Sequence, residues 1–214
     1  MNIEEYCYDK YIKSGDIVYD IGAHVGRTSV LFAQKGAKKI YAFEPSVFNI
    51  QELKNNTLLY SNIEIFNVAL HELSEDCVTR FRDCRVDSET DREQPIKYVV
   101  LKKFIEESNL ELPNFIKMDI EGMESLVLKT FDFLFTGCRP IVFVEIHAAP
   151  ENEPQNYIKN PHWKYIDQGG FDMNTLKSYD YLCIRKDLDL SENRDYNPRI
   201  GAHEGAILLQ KEKL

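Results

Sequence analysis

The chain has 214 residues with 26 basic and 35 acidic side chains, a formal net charge of −9 at pH 7. No run of Lys or Arg exceeds two residues, and affinity for nucleic acid rests largely on neutralising phosphates, so a large RNA or DNA surface is disfavoured. No apolar stretch approaches the ~20 residues that cross a bilayer, and the acidic start Met1-Asn2-Ile3-Glu4-Glu5-Tyr6 lacks the basic-then-apolar order of a signal peptide.

The expectation is a cytoplasmic protein working on a small molecule, with no membrane insertion. The five cysteines, Cys7, Cys77, Cys84, Cys138 and Cys183, contain no C-x-x-C pair. That predicts reduced thiols rather than a zinc ribbon or a disulfide framework. The size suits one α/β domain over residues 1–214 that buries roughly 70% of its unfolded surface.

Residues 2–12 read as a short helix, Ser14-Gly15-Asp16 as a turn and Ile17 to Tyr19 as the first strand. Arg27 to Lys35 is a helix with Gly36 at its C-terminal cap. Ile40 to Phe43 is the second strand, Phe48 to Leu59 a helix and Ile63 to Val68 the third strand. The strands are continuous apolar runs, as in a parallel sheet covered on both faces.

The rhythm breaks over residues 71–95, which are polar and read as an exposed excursion. A hairpin is expected there, with strands Val78 to Phe81 and Lys97 to Val100. Leu101 to Ser108 is helical, Phe115 to Met118 is the fourth strand, Met123 to Phe131 a helix and Pro140 to Ile146 the fifth strand. A short helix (Met173 to Ser178) and strands at Tyr181 to Ile184 and Ala206 to Leu209 complete the pattern. The polar, irregular segments 148–172 and 187–205 are the natural covers of an acceptor pocket, since long irregular segments in a compact domain are usually functional or mobile. Tyr157, Trp163 and Tyr165 in the first of them could stack on sugar faces or simply pack locally.

The strongest local signal is Val18-Tyr19-Asp20-Ile21-Gly22-Ala23-His24-Val25-Gly26, followed by Phe43-Glu44-Pro45. A strand, a glycine-marked turn, a helix and a second strand ending in a carboxylate form a nucleotide-binding βαβ unit, with Glu44 placed for a ribose hydroxyl pair. The pattern is G-x-x-x-G and not G-x-G-x-x-G. Ala23 and His24 fill the turn where a pyrophosphate would rest, so a ligand with a ribose but no phosphates fits better, and S-adenosylmethionine is the candidate. Asp20 either caps its turn or meets that ligand, and His24 lies in the same loop. Asn67-Val68-Ala69-Leu70 is a ledge suited to an adenine ring.

In open parallel sheets ligands bind beyond the carboxyl ends of the strands. Those ends carry Asp20, Glu44, Asn67, Asp119, Glu145 and His147, too polar a set for stability alone. In Asp119-Ile120-Glu121-Gly122-Met123-Glu124 a carboxylate ends a strand before an abrupt turn. Glu121 and Glu124 are also explained as first-turn acids favoured by the helix dipole. Glu145 and His147 share one face of the fifth strand, because alternate residues point the same way.

Together these words resemble the FkbM family of S-adenosylmethionine-dependent methyltransferases. They are Asp20-Ile21-Gly22-Ala23 with Gly26, Tyr41-Ala42-Phe43-Glu44-Pro45, Asn67-Val68-Ala69-Leu70, Phe115 to Glu124, and Val144-Glu145-Ile146-His147. The similarity covers about residues 15–147, with His24 where the family often has Asn.

It implies a Rossmann-like class I methyltransferase fold: a mostly parallel seven-stranded sheet with helices on both faces, here with an added hairpin. It also implies O-methylation of a hydroxyl, on a sugar, a nucleotide-linked sugar or a polysaccharide precursor. Donor contacts fall to Asp20, Gly22, Ala23, His24, Gly26, Glu44, Pro45, Asn67, Val68, Ala69 and Asp119.

Asp20 and Asp119 would help hold the sulfonium charge. Catalysis falls to His147 with Asp119 and Glu145. Either His147 acts as general base, or a divalent ion such as Mg or Mn on Asp119, Glu145 and His147 lowers the hydroxyl pKa. A non-sugar metabolite as acceptor, or a protein that binds the donor without chemistry, is the alternative.

Overall fold

The computed structural model describes residues 3–81, 92–120, 123–146, 181–187 and 205–211. In chain order the elements are α1 (Ile3–Tyr11), β1 (Ile17–Ile21), α2 (Arg27–Gln34), β2 (Lys39–Phe43), α3 (Val47–Thr57), β3 (Ile63–Phe66), β4 (Ala69–Leu70), β5 (Glu75–Phe81) and β6 (Arg92–Val99). There follow α4 (Leu101–Ser108), β7 (Phe115–Met118), α5 (Glu124–Leu128), a 3-10 turn (Lys129–Phe131), α6 (Asp132–Thr136), β8 (Ile141–Ile146), β9 (Tyr181–Asp187) and β10 (Gly205–Lys211). Seven strands form one sheet in the order β3-β2-β1-β7-β8-β10-β9. β3, β2, β1, β7 and β8 run parallel, while β10 is antiparallel to both β8 and β9. This is the mostly parallel, Rossmann-like seven-stranded sheet that was expected, with helices on both faces.

The strands read as unbroken apolar runs because both faces are covered. Tyr19, Ile21, Ile116, Met118, Val142 and Val144 pack on one face with Leu101 and Ile105 of α4 and with Val127, Phe131 and Leu134. Val18, Phe115 and Phe143 point to the other face, where Cys7 and Tyr8 of α1, Ile12 just after it and Phe32 of α2 close over them. Tyr8 sits edge-on to three rings, Phe32, Phe143 and Phe115, at centroid distances of 5.0, 5.6 and 6.1 Å, an arrangement favoured by the ring quadrupoles. By strand alternation Asp20, Lys117 and Glu145 share this second face, one step toward the carboxyl edge. Polar side chains therefore begin where the apolar cover of α1 and α2 ends.

The expected elements are present among the described residues, with three differences. The third strand stops at Phe66 instead of Val68, because Ala69 and Leu70 leave the main sheet and pair in parallel with β6. The excursion at 71–95 is not wholly exposed. β5 and β6 form an antiparallel hairpin, β4 extends it to a second, three-stranded sheet, and Gln94, Ile96 and Val99 of β6 are buried. The single helix expected over 123–131 is instead α5, a 3-10 turn and α6, which together carry the chain on to Thr136.

Cys7 and Cys138 are free thiols. No helix among the described residues is long and apolar enough to cross a membrane. The covers expected over 148–172 and 187–205 lie outside the described residues, apart from Asp187 and Gly205, which are end residues of β9 and β10, as does the helix expected over 173–178.

Candidate active site

Strand order reverses at β1, which lies between β2 and β7. The crevice beyond the carboxyl ends of β1 and β7 is where such sheets take ligands. The glycine turn fills its floor. Gly22 has φ +80°, and a Cβ there would stand 1.8 Å from the Asp119 carbonyl oxygen. Glycine is required for the end of β1 to lie against the end of β7. The backbone N–H groups of Gly22 and Ala23 both donate to the Phe43 carbonyl, at 2.9 and 3.0 Å, which fixes the turn to the end of β2. His24 (φ 50°) and Gly26 (φ 86°) also lie in the left-handed region, and the His24 side chain is exposed.

Beneath the turn is a buried ion group. Lys117 has a side chain only 4% exposed, and its ammonium donates to the Gly22 carbonyl at 2.7 Å. It lies 3.6 Å from Asp20 Oδ1 and 3.3 Å from Asp119 Oδ2. Burial pulls the Lys117 pKa down, but Asp119, Asp20 and Glu145 outweigh it and hold the pKa above the ordinary lysine range. These carboxylates therefore favour the charged form of the ammonium. Asp20 is fully buried, and its Oδ2 accepts the hydroxyls of Thr28 and Ser29 at 2.7 and 2.6 Å. These residues place Asp20 between the start of α2 and Lys117, facing into the protein. Asp119 is the more open carboxylate, with a side chain 30% exposed.

Glu44, at the end of β2, is 3% exposed. Its Oε1 accepts the Ser46 N–H at 2.9 Å and the Asn49 Nδ2 at 3.1 Å, while its Oε2 accepts the His24 N–H at 2.8 Å. Burial pushes its pKa up, and the donors on Ser46, Asn49 and His24 pull it part of the way back. Asn67 donates through Nδ2 to the carbonyls of Glu44 and Pro45, both at 2.9 Å. Asn67 thus shapes the backbone after β2, with Val68 buried and Ala69 half-buried beside it.

Strand register sets Met118 against Val144, so the next step sets Asp119 against Glu145 at the same edge. Glu145 is half-buried, and its charge acts on Lys117. His147 lies outside the described residues, as do Glu121 and Gly122. Glu124 is buried in the first turn of α5, with its Oε1 accepting the Ile120 N–H at 3.3 Å. Among the described residues no three His, Cys, Asp or Glu side chains gather in a way that could hold a metal ion.

Sequence reading passed over Lys117, Ser46, Asn49 and Gln94 as site residues. A lysine inside an otherwise apolar four-residue strand, two positions before a carboxylate, was the available signal for Lys117.

Removing the ammonium would leave Asp20 buried without its counter-charge. Lys117→Met is expected to lower unfolding stability by about 3 kcal/mol. Asp20→Asn added to it should recover much of that loss, because the two groups are one unit. Urea unfolding of the two variants beside the wild type checks the coupling, and additive losses would contradict it.

The family model described as "Methyltransferase FkbM domain" matches residues 20–183. No curated protein matches this sequence. Among solved structures, the methyltransferase FkbM from Methylobacillus flagellatus KT superposes with a TM-score of 0.61 at 18% identity. That alignment covers 91% of this chain and 43% of the other, so the chain spans less than half the length of that relative. SMU.1697c from Streptococcus mutans, in complex with SAH, gives a TM-score of 0.57 at 10% identity and covers 99% of both chains. An rRNA methylase from Streptococcus thermophilus gives 0.55 at 12%, covering 100% of this chain and 98% of the other. At such identities these likenesses establish the fold, while the family match spans the glycine turn, Glu44 and the edge at Asp119 and Glu145. This chain belongs to the FkbM methyltransferase family.

Proposed function

We propose that the chain transfers a methyl group from S-adenosylmethionine to a hydroxyl of a sugar, a nucleotide-linked sugar or a precursor of a surface polysaccharide, in the cytoplasm. One observation carries the donor assignment. A carboxylate has about four acceptor positions, and Glu44 has three occupied by protein donors. On this reading the fourth is left for a ribose hydroxyl, and the His24 N–H on the same carboxylate ties Glu44 to the glycine turn. Gly22, Ala23, His24 and Gly26 would line the donor's path, and Pro45, Asn67, Val68 and Ala69 its adenine end.

When bound, the donor supplies an electrophilic methyl group on a positively charged sulfur. Asp119, partly exposed, offers negative charge on that side. Asp20 acts from behind, holding the turn in place through Lys117. The acceptor hydroxyl is a weak nucleophile until it loses its proton, and His147 is assigned as the base that takes it, with Glu145 beside it. That assignment rests on the strand alternation in the sequence. Alignment of acceptor and methyl within roughly 3–3.5 Å would supply much of the rate, and acceptor choice falls to segments 148–172 and 187–205.

A divalent ion on Asp119, Glu145 and His147 fits poorly. Asp119 Oδ2 already faces the buried Lys117 ammonium at 3.3 Å, a fixed positive charge where the ion's ligand should be. No step is assigned to a metal.

Two measurements test the reading. Glu44 accepts hydrogen bonds fully only when ionised, and burial raises its pKa. Donor affinity is therefore expected to fall as pH is lowered from neutrality through that raised value. Fold stability should move the other way, because a raised carboxyl favours the protonated folded state and its contribution is lost as pH rises through the folded pKa. Calorimetric titration with S-adenosylmethionine in a pH series from about 7.5 down to about 4 should show this. Glu44→Gln should bind weakly throughout the series, and a wild type whose affinity is unchanged across it would count against Glu44.

For the reaction, methyl transfer from labelled donor to a panel of nucleotide sugars should give labelled product. His147→Ala should lower turnover by roughly 10²-fold or more. Failure across the panel with donor binding intact would move the acceptor to a non-sugar metabolite.

A further inference from the structure

The β5–β6 hairpin stands outside the seven-stranded sheet, yet one of its side chains reaches the donor corner. Gln94 is 3% exposed, and its Oε1 accepts the Val47 N–H at 2.9 Å. Val47 is the first residue of α3, and Ser46 holds the N-cap position with extended backbone angles. A serine there ordinarily caps the helix with its own hydroxyl. Ser46 makes no such bond, and its buried Oγ has no hydrogen-bond partner. The amides at the helix entrance go elsewhere: that of Ser46 to Glu44 Oε1 and that of Val47 to Gln94 Oε1. The cap is supplied from another sheet, 47 positions along the chain.

The same turn of α3 orients Glu44. Two of the three donors to its carboxylate are the Ser46 N–H and the Asn49 side chain. Helix ends without partners for their first amides fray, and fraying here would release both donors. Strand alternation puts Gln94 on the same buried face of β6 as Ile96, where a polar side chain needs a partner, and the Val47 N–H is one that its Oε1 accepts.

We propose that the hairpin is a working part of the donor site and that Gln94 is its positioning residue, fixing the first turn of α3 and through it the Glu44 carboxylate. The proposal rests on the reading of Glu44 as the ribose carboxylate. It differs from a purely structural role for Gln94, which would affect stability and leave ligand affinity unchanged.

The test uses the full chain, calorimetric titration with S-adenosylhomocysteine and steady-state kinetics in the donor. Gln94→Leu is expected to weaken binding about threefold to tenfold, the range of a lost helix cap, and to raise the donor KM with little change in kcat. Lys97→Ala, exposed on the same strand, should bind as the wild type does. Val47→Pro removes the N–H at a position where proline is well tolerated, and in that background Gln94→Leu should have no further effect.

That last comparison also serves if Gln94→Leu alone fails to fold. Wild-type affinity in folded Gln94→Leu, or an undiminished loss in the Val47→Pro background, would overturn the proposal alone. A wild-type chain that binds neither S-adenosylmethionine nor S-adenosylhomocysteine would overturn the donor reading and this proposal with it.

Discussion

The ammonium of Lys117, buried beneath the glycine turn, is the contact on which the candidate site depends. Three separate parts of the chain converge on it: Asp20 at the end of β1, the Gly22 carbonyl of the turn, and Asp119 just beyond β7. A buried charge is costly unless paired and hydrogen-bonded, so this group favours one arrangement of the turn over others. The close approach of Gly22 to the Asp119 carbonyl belongs to the same constraint, because a side chain there would part the strand ends that Lys117 joins. The group also separates two kinds of carboxylate. Asp20 faces inward and holds structure, while Asp119 remains open to the crevice.

A second carboxylate organises the neighbouring corner. Glu44 gathers donors from the glycine loop and from the first turn of α3, so the loop and the helix are fixed to one another before any ligand arrives. Binding then pays little to order them, which is the sense in which such a site is preorganised. The raised pKa of Glu44 is the cost of placing that carboxylate where water is scarce.

The strand ends were legible in the sequence because they break an otherwise apolar pattern. Asp20, Glu44, Asp119 and Glu145 each follow a run of buried residues, and topology brings such positions to one edge. The glycine turn was legible too, although Gly22 serves the approach of β7 as well as any ligand. Lys117 was not recognised because lysine is seldom fully buried, and its pairing with Asp20 spans strands far apart in sequence.

Gln94 was hidden more completely. The surrounding residues are polar and charged, which predicts an exposed excursion, and only the second sheet reveals that its base is buried. The broken helix over 124–136 follows a similar rule: the apolar spacing indicates a buried face but does not say where the hydrogen-bond ladder tightens. His147 was singled out from strand alternation, and its role is part of the proposed function.

The central claim is that one corner, built on Glu44 and the turn above Lys117, receives the adenosyl donor. A crystal structure of the chain with S-adenosylhomocysteine tests it most directly. The account predicts a ribose hydroxyl on the remaining acceptor position of the Glu44 carboxylate and the Lys117 ammonium still on the Gly22 carbonyl. A ligand seated away from Glu44, or a Lys117 that leaves the turn to contact it, would contradict the account.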